Sequence, residues 1–328
     1  MSDLALSSYA SASGRHLVRR PADSRFASFL RGFDEQAERA RLAAAGVRYV
    51  GRSESAYPGL LGAIHDPPAG LFVRGSARVE LLAAASVAVV GARACSAYGR
   101  AVGRSLGREL AAAGIVVVSG LARGIDGEAH RGALDGGGAT VAVLGCGIDR
   151  DYPAAHAELA RRICNDGLIV SEYGPGVEPA PWRFPARNRI IAGLAVAAVV
   201  VEARERSGAL ITADFALEAG RDVLAVPGEI TSSLSAGTNA LLRLGATPLL
   251  HVDDVLEMLG VEPPKRAPPV GDAAAAVLRR LADSATGADE LVRATGLGAG
   301  EVAAALMELE LGGRITEEGG VYRSSIGP

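Results

Sequence analysis

The amino-acid sequence predicts an α/β protein with a doubly wound, mainly parallel sheet, followed by a small winged-helix domain. One observation is the regular alternation of short apolar runs and helical patterns between residues 86 and 226. Runs that are apolar throughout are typical of parallel strands covered by helices on both faces. A second observation is a proline-rich stretch at 263–269, beyond which the sequence predicts three short helices and a hairpin.

The predicted domain organisation has four segments. They are an N-terminal irregular or helical segment at 1–45, the α/β domain at 46–260, a linker at 261–270 and a winged-helix-like domain at 271–328. Residues 1–23 are dominated by Ser, Ala and Arg without a strong hydrophobic period, so we expect disorder or irregular packing there. A helical pattern follows from Phe33 to Ala45, where Gly46 is a stop signal.

The elements of the α/β domain follow from the apolar runs and the glycines that separate them. Strands are expected at 48–50, 71–75, 86–90, 115–119, 140–144, 168–171, 195–201 and 222–226. Helices are expected from 57 and at 97–113, 125–134, 154–163, 185–193, 209–219 and 238–244. Ser96 is a suitable N-cap for the helix at 97–113, because its hydroxyl can accept a hydrogen bond from a free backbone N–H.

The small C-terminal domain carries more negative than positive charge. Its expected elements are helices at 273–281, 287–295 and 298–311 and a hairpin of strands at 314–316 and 320–323. Residues 272–328 include nine acidic and five basic residues, and the third helix carries Glu301, Glu308 and Glu310 without any Arg. A helix that enters a DNA groove should not repel phosphate, so we expect this domain to contact protein rather than read a DNA sequence.

Composition limits the classes of function. The 328 residues are 49% hydrophobic with a net charge of −3, so a nucleic-acid site must be a local patch of a globular protein. Lys265 is the only lysine, and almost all positive charge is therefore arginine. Cys95, Cys146 and Cys164 lie far apart, which argues against a metal site or a disulfide framework, and no cofactor is expected. Without a signal peptide or a run of about 18 apolar residues, a cytoplasmic protein is expected.

The stretch WRFPARNRIIAG at 182–193 has the strongest chemical character in the chain. It holds three arginines within seven residues, and Trp182 and Phe184 flank the first of them. Preceding prolines predict that the stretch is displayed on a stiff loop. Planar cations beside aromatic rings suit single-stranded nucleic acid, whose bases stack and whose phosphates are anionic. The alternative is an arginine-rich surface turn whose two rings pack into the core.

Several loops at the carboxyl ends of the predicted strands favour an anion site. Glycine-containing loops, most of them with arginine, stand at 91–93, 120–124, 145–147 and 204–208. Glycine lets a phosphate approach the backbone, and arginine donates two parallel hydrogen bonds. The ordinary nucleotide motifs are absent, because no G-x-x-x-x-G-K-[ST] occurs and no G-x-G-x-x-G follows the first strand of the alternation.

An acid–base set could be built from Asp126, His130 and Glu172. The spacing of Asp126 and His130 by one helical turn suits a local hydrogen bond equally well. No nucleophile with an adjacent base accompanies them, so the sequence predicts no enzyme.

Several motifs occur together in the order and spacing of the DprA (Smf) family, which the chain resembles from about Tyr57 to Ala246. The motifs are Val89–Arg93, Ser119–Asp126 with His130, 149–153, 171–173, 184–191, 207–212, 225–228 and 237–239. The unit at 271–328 is similar to the family's C-terminal winged-helix domain. In departure from the pattern, Ala92 replaces the usual Ser or Thr, and residues 1–45 lack a clear N-terminal helical domain.

The resemblance implies an extended Rossmann-like domain that binds and protects single-stranded DNA during natural transformation. It also implies loading of the recombinase RecA on that strand, and a homodimer. The residues predicted to bind single-stranded DNA are Gly91, Arg93, Gly120, Arg123, Gly124, Arg183, Phe184, Arg187, Asn188, Arg189, Ser207 and Gly208. In the alternative of a purely structural role, Asn188 and Arg189 only brace neighbouring loops and do not contact DNA.

Three further expectations concern the aromatic residues, the dimer and a rival function. Pro185 favours extended backbone at Phe184, so we expect an outward-pointing ring that stacks on a base, with Trp182 as a part-buried anchor. The predicted dimer contact consists of Leu241, Leu242, Leu244, Leu256, Met258 and Leu259. The rival is a nucleotide-binding or nucleotide-hydrolysing enzyme on a related Rossmann-like fold, which would need a catalytic glutamate and a glycine-rich phosphate loop carrying threonine.

Overall fold

A computed structural model describes residues 2–14, 24–262, 271–312 and 314–324. The chain divides into two compact units, the first extending to residue 263 and the second beginning at 264. No helix in the described ranges is both long and apolar enough to cross a bilayer.

The first unit is built on a single sheet of nine strands among its described residues. They are β1 Arg48–Gly51, β2 Gly70–Arg74, β3 Ser86–Val90, β4 Val116–Ser119, β5 Thr140–Leu144, β6 Leu168–Ser171, β7 Ala197–Val200, β8 Asp222–Ala225 and β9 Thr247–Pro248. The order is β1-β2-β6-β5-β4-β3-β7-β8-β9. All neighbours from β6 to β9 are parallel, whereas β2 is antiparallel to both β1 and β6. The predicted doubly wound, mainly parallel sheet is confirmed.

Helices cover both faces of this sheet. They are α1 Asp3–Ser13, α2 Ser24–Arg31, α3 Glu35–Ala44, α4 Gly59–Gly62, α5 Ala97–Ala112, α6 Ile125–Asp135, α7 Ala157–Asp166, α8 Arg183–Leu194, α9 Gly208–Glu218, α10 Ala236–Arg243 and α11 Val252–Met258. Side chains alternate between the faces of a strand. Accordingly, Ala88 and Val90 of β3 pack in one apolar cluster with α8 and α9, while Val87 and Val89 pack in another with α5 and α6.

The N-terminal segment is more regular than the sequence predicts. The expectation of disorder or irregular packing is wrong for residues 3–13, which form α1, with the Ser2 hydroxyl accepting a hydrogen bond from the Ala5 N–H at 3.1 Å. Leu4 and Leu6 are buried against other elements of the unit. Because this stability comes from tertiary packing, local propensity did not reveal it. Residues 15–23, also predicted irregular, lie outside the described residues.

The second unit has the three helices and the hairpin that the sequence predicts. Its elements are α12 Asp272–Asp283, β10 Thr286–Gly287, α13 Ala288–Thr295, α14 Ala299–Leu311, β11 Ile315–Glu318 and β12 Val321–Ser324. The strands form an antiparallel sheet in the order β10-β12-β11. Val277, Leu291 and Leu309 form the centre of its core. The predicted linker at 261–270 lies mostly outside the described residues.

Candidate nucleic-acid interface

The topology places the candidate site at the carboxyl ends of β3 and β7. From β3 the chain proceeds outward through β4, β5 and β6 and then returns to the other side of β3 as β7. Loops that leave neighbouring strands in opposite directions open a crevice at such a reversal. A pocket of about 400 Å³ lies there, and its lining includes Asp126, Arg204, Arg206 and Thr212. Seven of the twelve predicted residues also line it, namely Gly91, Arg93, Phe184, Arg187, Asn188, Ser207 and Gly208.

The helix predicted at 185–193 is present but begins at Arg183, so the start of the arginine-rich stretch is helical and does not lie on the stiff loop that the sequence predicts. Trp182 precedes α8, and Pro185 lies in its first turn, where the N–H that proline lacks is not needed for the helix. As a consequence Arg183, Arg187 and Arg189 are buried, with 8%, 5% and 4% of their surfaces exposed. Their side chains are therefore engaged mainly by the protein itself.

Arg187 connects the ends of two strands beneath the pocket. Its Nη1 donates a hydrogen bond to the carbonyl of Gly120 at 2.6 Å and another to the carbonyl of Val143. Its Nη2 lies 4.0 Å from the Asp126 carboxylate. Burial lowers the pKa of the Arg187 guanidinium. Burial also raises the pKa of the Asp126 carboxyl, and the positive charge of Arg187 partly offsets that rise. A side chain at Gly120 would collide with this guanidinium, which accounts for that glycine without any DNA contact.

Arg189 and Asn188 brace neighbouring elements, as expected for a purely structural role. Arg189 bridges two carboxylates, with Nε 3.0 Å from Asp66 and Nη2 2.6 Å from Glu172. The structure places it beside a separate small cavity rather than in the pocket lining. Asn188 lines the pocket, but its Nδ2 donates a hydrogen bond to the carbonyl of Gly208 at 2.9 Å and so ties α8 to the start of α9.

Arg183 lies against two aromatic rings outside the pocket lining. Its guanidinium carbon is 5.1 Å from the ring centre of Tyr173 and 4.9 Å from that of Trp182, and Nη1 donates a hydrogen bond to the Glu178 carbonyl. The expectation of a part-buried Trp182 anchor is only partly met, because 45% of its surface is exposed. Its contact with Tyr173 is edge-on at 6.4 Å.

A ladder of three planar groups joins Arg93 and Phe184, which line the pocket, to Tyr152, which lies outside the lining. The Arg93 guanidinium carbon lies 5.5 Å from the centre of the Phe184 ring, and the Tyr152 ring stacks on Phe184 at 5.3 Å with an angle of 27°. The expected extended backbone at Phe184 is wrong, because this residue is helical; its partly exposed ring lines the pocket and is engaged by both neighbours. The exposed ring is Tyr152, with 44% of its surface accessible.

Sequence reasoning missed Tyr152 although its motif at 149–153 was recognised. The two residues before Tyr152 form ion pairs, Asp151 with Arg74 at 2.5 Å and Arg150 with Glu178 at 2.6 Å. The Asp149 carboxylate also accepts a hydrogen bond from the Gly176 N–H at 3.0 Å. An exposed tyrosine held in this way is suited to present its ring to a ligand.

Exposed arginines and a helix N-terminus supply the remaining positive character of the site. Arg93, Arg204 and Arg206 are exposed and line the pocket, and the last two were not among the predicted site residues. The N-terminus of α9, which follows Ser207, opens on the same pocket and favours anions. Arg123 is also exposed, but the structure places it outside the lining, as it does Gly124.

The three residues of the possible acid–base set have separate structural partners. His130 is fully buried, and its Nδ1 lies 2.8 Å from the Thr140 hydroxyl, which itself donates to the Val117 carbonyl. Burial, and then the neighbouring His156, lowers the pKa of His130 to about 3. Glu172 is paired with Arg189, and Asp126 lies beside Arg187. Within the described ranges, no three His, Cys, Asp or Glu side chains form a group that could hold a metal ion.

The predicted dimer residues differ greatly in exposure. Leu241 and Leu256 are buried in the unit's own core and are therefore not available for the predicted dimer contact. Leu242, Met258 and Leu259 are partly buried. Leu244 is 85% exposed and lies close in sequence to Leu250, which is 70% exposed.

Comparison with known proteins identifies relatives of both units. The family model for DNA recombination-mediator protein A matches residues 48–260, and that for the DprA winged helix domain matches residues 261–320. A DNA processing protein DprA of Mycobacterium tuberculosis is 52% identical over 193 residues, which are 59% of this chain and 50% of that protein. The chain thus spans about half the length of this relative.

Two solved structures show the same fold at moderate identity. The X-ray structure of DprA from Streptococcus pneumoniae has a TM-score of 0.66 and 39% identity, and the match covers 78% of this chain and 93% of that one. A structure of the Helicobacter pylori protein, described for its single-stranded DNA binding mode, has a TM-score of 0.59 and 30% identity. That match covers 65% of this chain and 95% of the Helicobacter chain.

Arg189→Ala is expected to destabilise the first unit by about 3–5 kcal/mol, because it removes the buried cation that pairs with the buried Glu172 and with Asp66. Urea unfolding followed by circular dichroism measures the change. Arg123→Ala, at an exposed position, is the control and should change the free energy of unfolding by less than about 0.5 kcal/mol. Equal stability of the two variants would contradict the bracing role of Arg189.

His130 is expected to make stability depend on pH. In the unfolded chain the ring takes up a proton below about pH 6.5, whereas in the folded chain it does so only near pH 3. Above about pH 6.5 the neutral ring therefore makes its full contribution to the free energy of unfolding. That contribution is lost as the pH falls towards 3, at up to about 1.4 kcal/mol per pH unit. From pH 7 to pH 5, the urea concentration at the unfolding midpoint should fall more for the unsubstituted protein than for His130→Gln. An identical fall would show that His130 is protonated in the folded state.

Proposed function

The chain belongs to the DNA recombination-mediator protein A family, and from this premise we propose that it binds single-stranded DNA at the carboxyl edge of its sheet. The observation that carries the proposal is the ladder of Arg93, Phe184 and Tyr152 beside the exposed Arg204 and Arg206. Such a surface offers a base a ring to stack on and offers its phosphates bidentate donors.

In this proposal, Tyr152 is the stacking platform. Its ring is exposed, whereas Phe184 is covered in part by its contacts with Arg93 and Tyr152. A base that stacks on Tyr152 extends the ladder by one planar group. Stacking of this kind requires an unpaired base, which favours a single strand over a duplex.

The phosphates are assigned to the exposed arginines and to the N-terminus of α9. Arg93 stands on one side of the pocket, and Arg204 and Arg206 come from the loop that precedes α9 on the other. Arg187 lies beneath them and adds positive potential without leaving its carbonyl partners. A local patch of this kind is compatible with a net charge of −3.

We further propose that the protein protects the bound strand and passes it to the recombinase RecA, as a homodimer and without chemical turnover. The family resemblance supports RecA loading, the homodimer and a role in natural transformation. The exposed Leu244 and Leu250 are the apolar residues available for a contact between copies in that part of the chain. Against the rival nucleotide hydrolase, Asp126, His130 and Glu172 each have a structural partner.

Single-stranded DNA is expected to bind more tightly than a duplex of the same sequence. Affinity should fall steeply as salt rises, because each arginine–phosphate contact releases condensed counterions, with a slope of about −0.7 per contact for a single strand. Fluorescence anisotropy of labelled oligo-dT and of its duplex with oligo-dA, across a salt series, measures both. Equal affinity for the two forms would contradict the stacking role of the ladder.

Tyr152→Ala is expected to weaken binding of single-stranded DNA by roughly 5- to 150-fold, since one stacked base contributes about 1–3 kcal/mol. Tyr152→Phe keeps the ring and serves as the matched control, with affinity within about twofold of the unsubstituted protein. Anisotropy titrations at one salt concentration compare the three proteins. If Tyr152→Ala binds normally, the base stacks elsewhere.

A further inference from the structure

Glu202 holds both ends of the loop that carries Arg93. It follows β7 and is only 5% exposed. Its carboxylate accepts hydrogen bonds from the Ser96 N–H at 2.9 Å and from the Ser96 hydroxyl at 2.5 Å. Its backbone carbonyl accepts a third from the Ala92 N–H at 2.7 Å. One residue therefore fixes the beginning and the end of the segment from Ala92 to Ser96.

The same carboxylate occupies the N-terminus of α5. Ser96 is the N-cap of that helix, and its hydroxyl accepts a hydrogen bond from the Gly99 N–H at 2.9 Å while donating to Glu202. A side chain at Gly99 would collide with the Glu202 carboxylate, so glycine makes the room in which the carboxylate lies. In doubly wound folds that bind nucleotides, the phosphate binds at the N-terminus of the helix that follows the first parallel strand, which corresponds to α5 after β3 here.

The opposite side of the Arg93 loop is closed by the start of α6. The Ile125 N–H donates a hydrogen bond to the Ala92 carbonyl at 3.3 Å. Gly124 adopts a left-handed conformation with φ of 76°, and a side chain there would collide with the carbonyls of Ala92 and Arg93. With its backbone held between Glu202 and α6, the loop exposes Arg93 and Ala94.

We infer that Glu202 determines the ligand class of this site, by taking the place of a nucleotide phosphate at the N-terminus of α5 and by positioning Arg93 for a DNA phosphate. Its negative charge excludes free phosphate from the helix N-terminus, and its hydrogen bonds fix the loop that displays Arg93. The second part rests on the proposed function, because it assigns Arg93 to single-stranded DNA. The first part depends only on the anion that the helix receives.

A double-mutant cycle tests the positioning of Arg93. Glu202→Gln keeps the shape of the side chain but removes its charge and with it the stronger hydrogen bonds to Ser96. It should weaken oligo-dT binding on the order of tenfold, about 1.4 kcal/mol, in the unsubstituted protein. In an Arg93→Ala background the same change should alter affinity by less than about twofold. Equal effects in both backgrounds would overturn the positioning role.

Two further variants separate positioning from a general loss of stability. Glu172→Gln is the matched control, since Glu172 is also a buried carboxylate that follows a strand, but its partner is Arg189. Whatever its effect on affinity, that effect should be the same with and without Arg93→Ala. Gly99→Ala displaces the Glu202 carboxylate from the other side, although alanine ordinarily favours a helix. Like Glu202→Gln, it should weaken oligo-dT binding in the unsubstituted protein and have little effect in the Arg93→Ala background. If its effect on affinity simply adds to that of Arg93→Ala, the inference is contradicted.

Thermal melting with inorganic phosphate or AMP tests the exclusion of phosphate without any DNA. At ionic strength matched with sodium chloride, either anion should raise the melting temperature of Glu202→Ala by more than that of the unsubstituted protein, in which the exposed arginines and the N-terminus of α9 remain available to anions. If both anions stabilise the two proteins equally, Glu202 does not exclude phosphate. Failure of the unsubstituted protein to bind oligo-dT would instead count against the proposed function, and this melting result would still stand.

Discussion

The guanidinium of Arg187 is the interaction on which the arrangement of the candidate site depends. It joins the carbonyls of Gly120 and Val143, at the carboxyl ends of two neighbouring strands, to a helix that starts at the pocket. Asp126, 4.0 Å away, balances part of its charge. Because these groups are buried, their separation would leave charged and polar atoms without compensation, at a cost far above that of an exposed ion pair. The loops of β4 and β5 and the first turn of α8 therefore keep one geometry.

The arginines of this region fall into two groups with different physical roles. Arg183, Arg187 and Arg189 are buried, and each interacts with carbonyls, carboxylates or aromatic rings of the protein. Arg93 and Arg206 are exposed on loops beside the pocket, and the backbone of the Arg93 loop is held by Glu202 and by the start of α6. The buried group makes the scaffold rigid, and the exposed group is left free to neutralise phosphate. A rigid display lowers the entropy lost when a flexible strand is bound.

The sheet could be predicted because its signal is local. Runs such as 86–90 and 140–144 are apolar on both faces of the strand and are buried on both faces only in a parallel sheet covered by helices. Glycines such as Gly114 end the helices between them. Side-chain roles in the 182–193 stretch depend on distant partners instead. Arg189 binds Asp66, which is 123 positions away, and no spacing rule reveals such a pair. Tyr152 and Glu202 were missed for the same reason, since their importance follows from contacts and not from residue type.

The central claim is that single-stranded DNA binds across the carboxyl edge of the sheet with a base on Tyr152. The most direct measurement is photo-crosslinking of an oligo-dT that carries 5-iododeoxyuridine, followed by mass spectrometry of the crosslinked peptides. The account predicts that crosslinks concentrate on the peptide that contains residues 149–153. Crosslinks confined to the second unit, at residues 271–324, would contradict it.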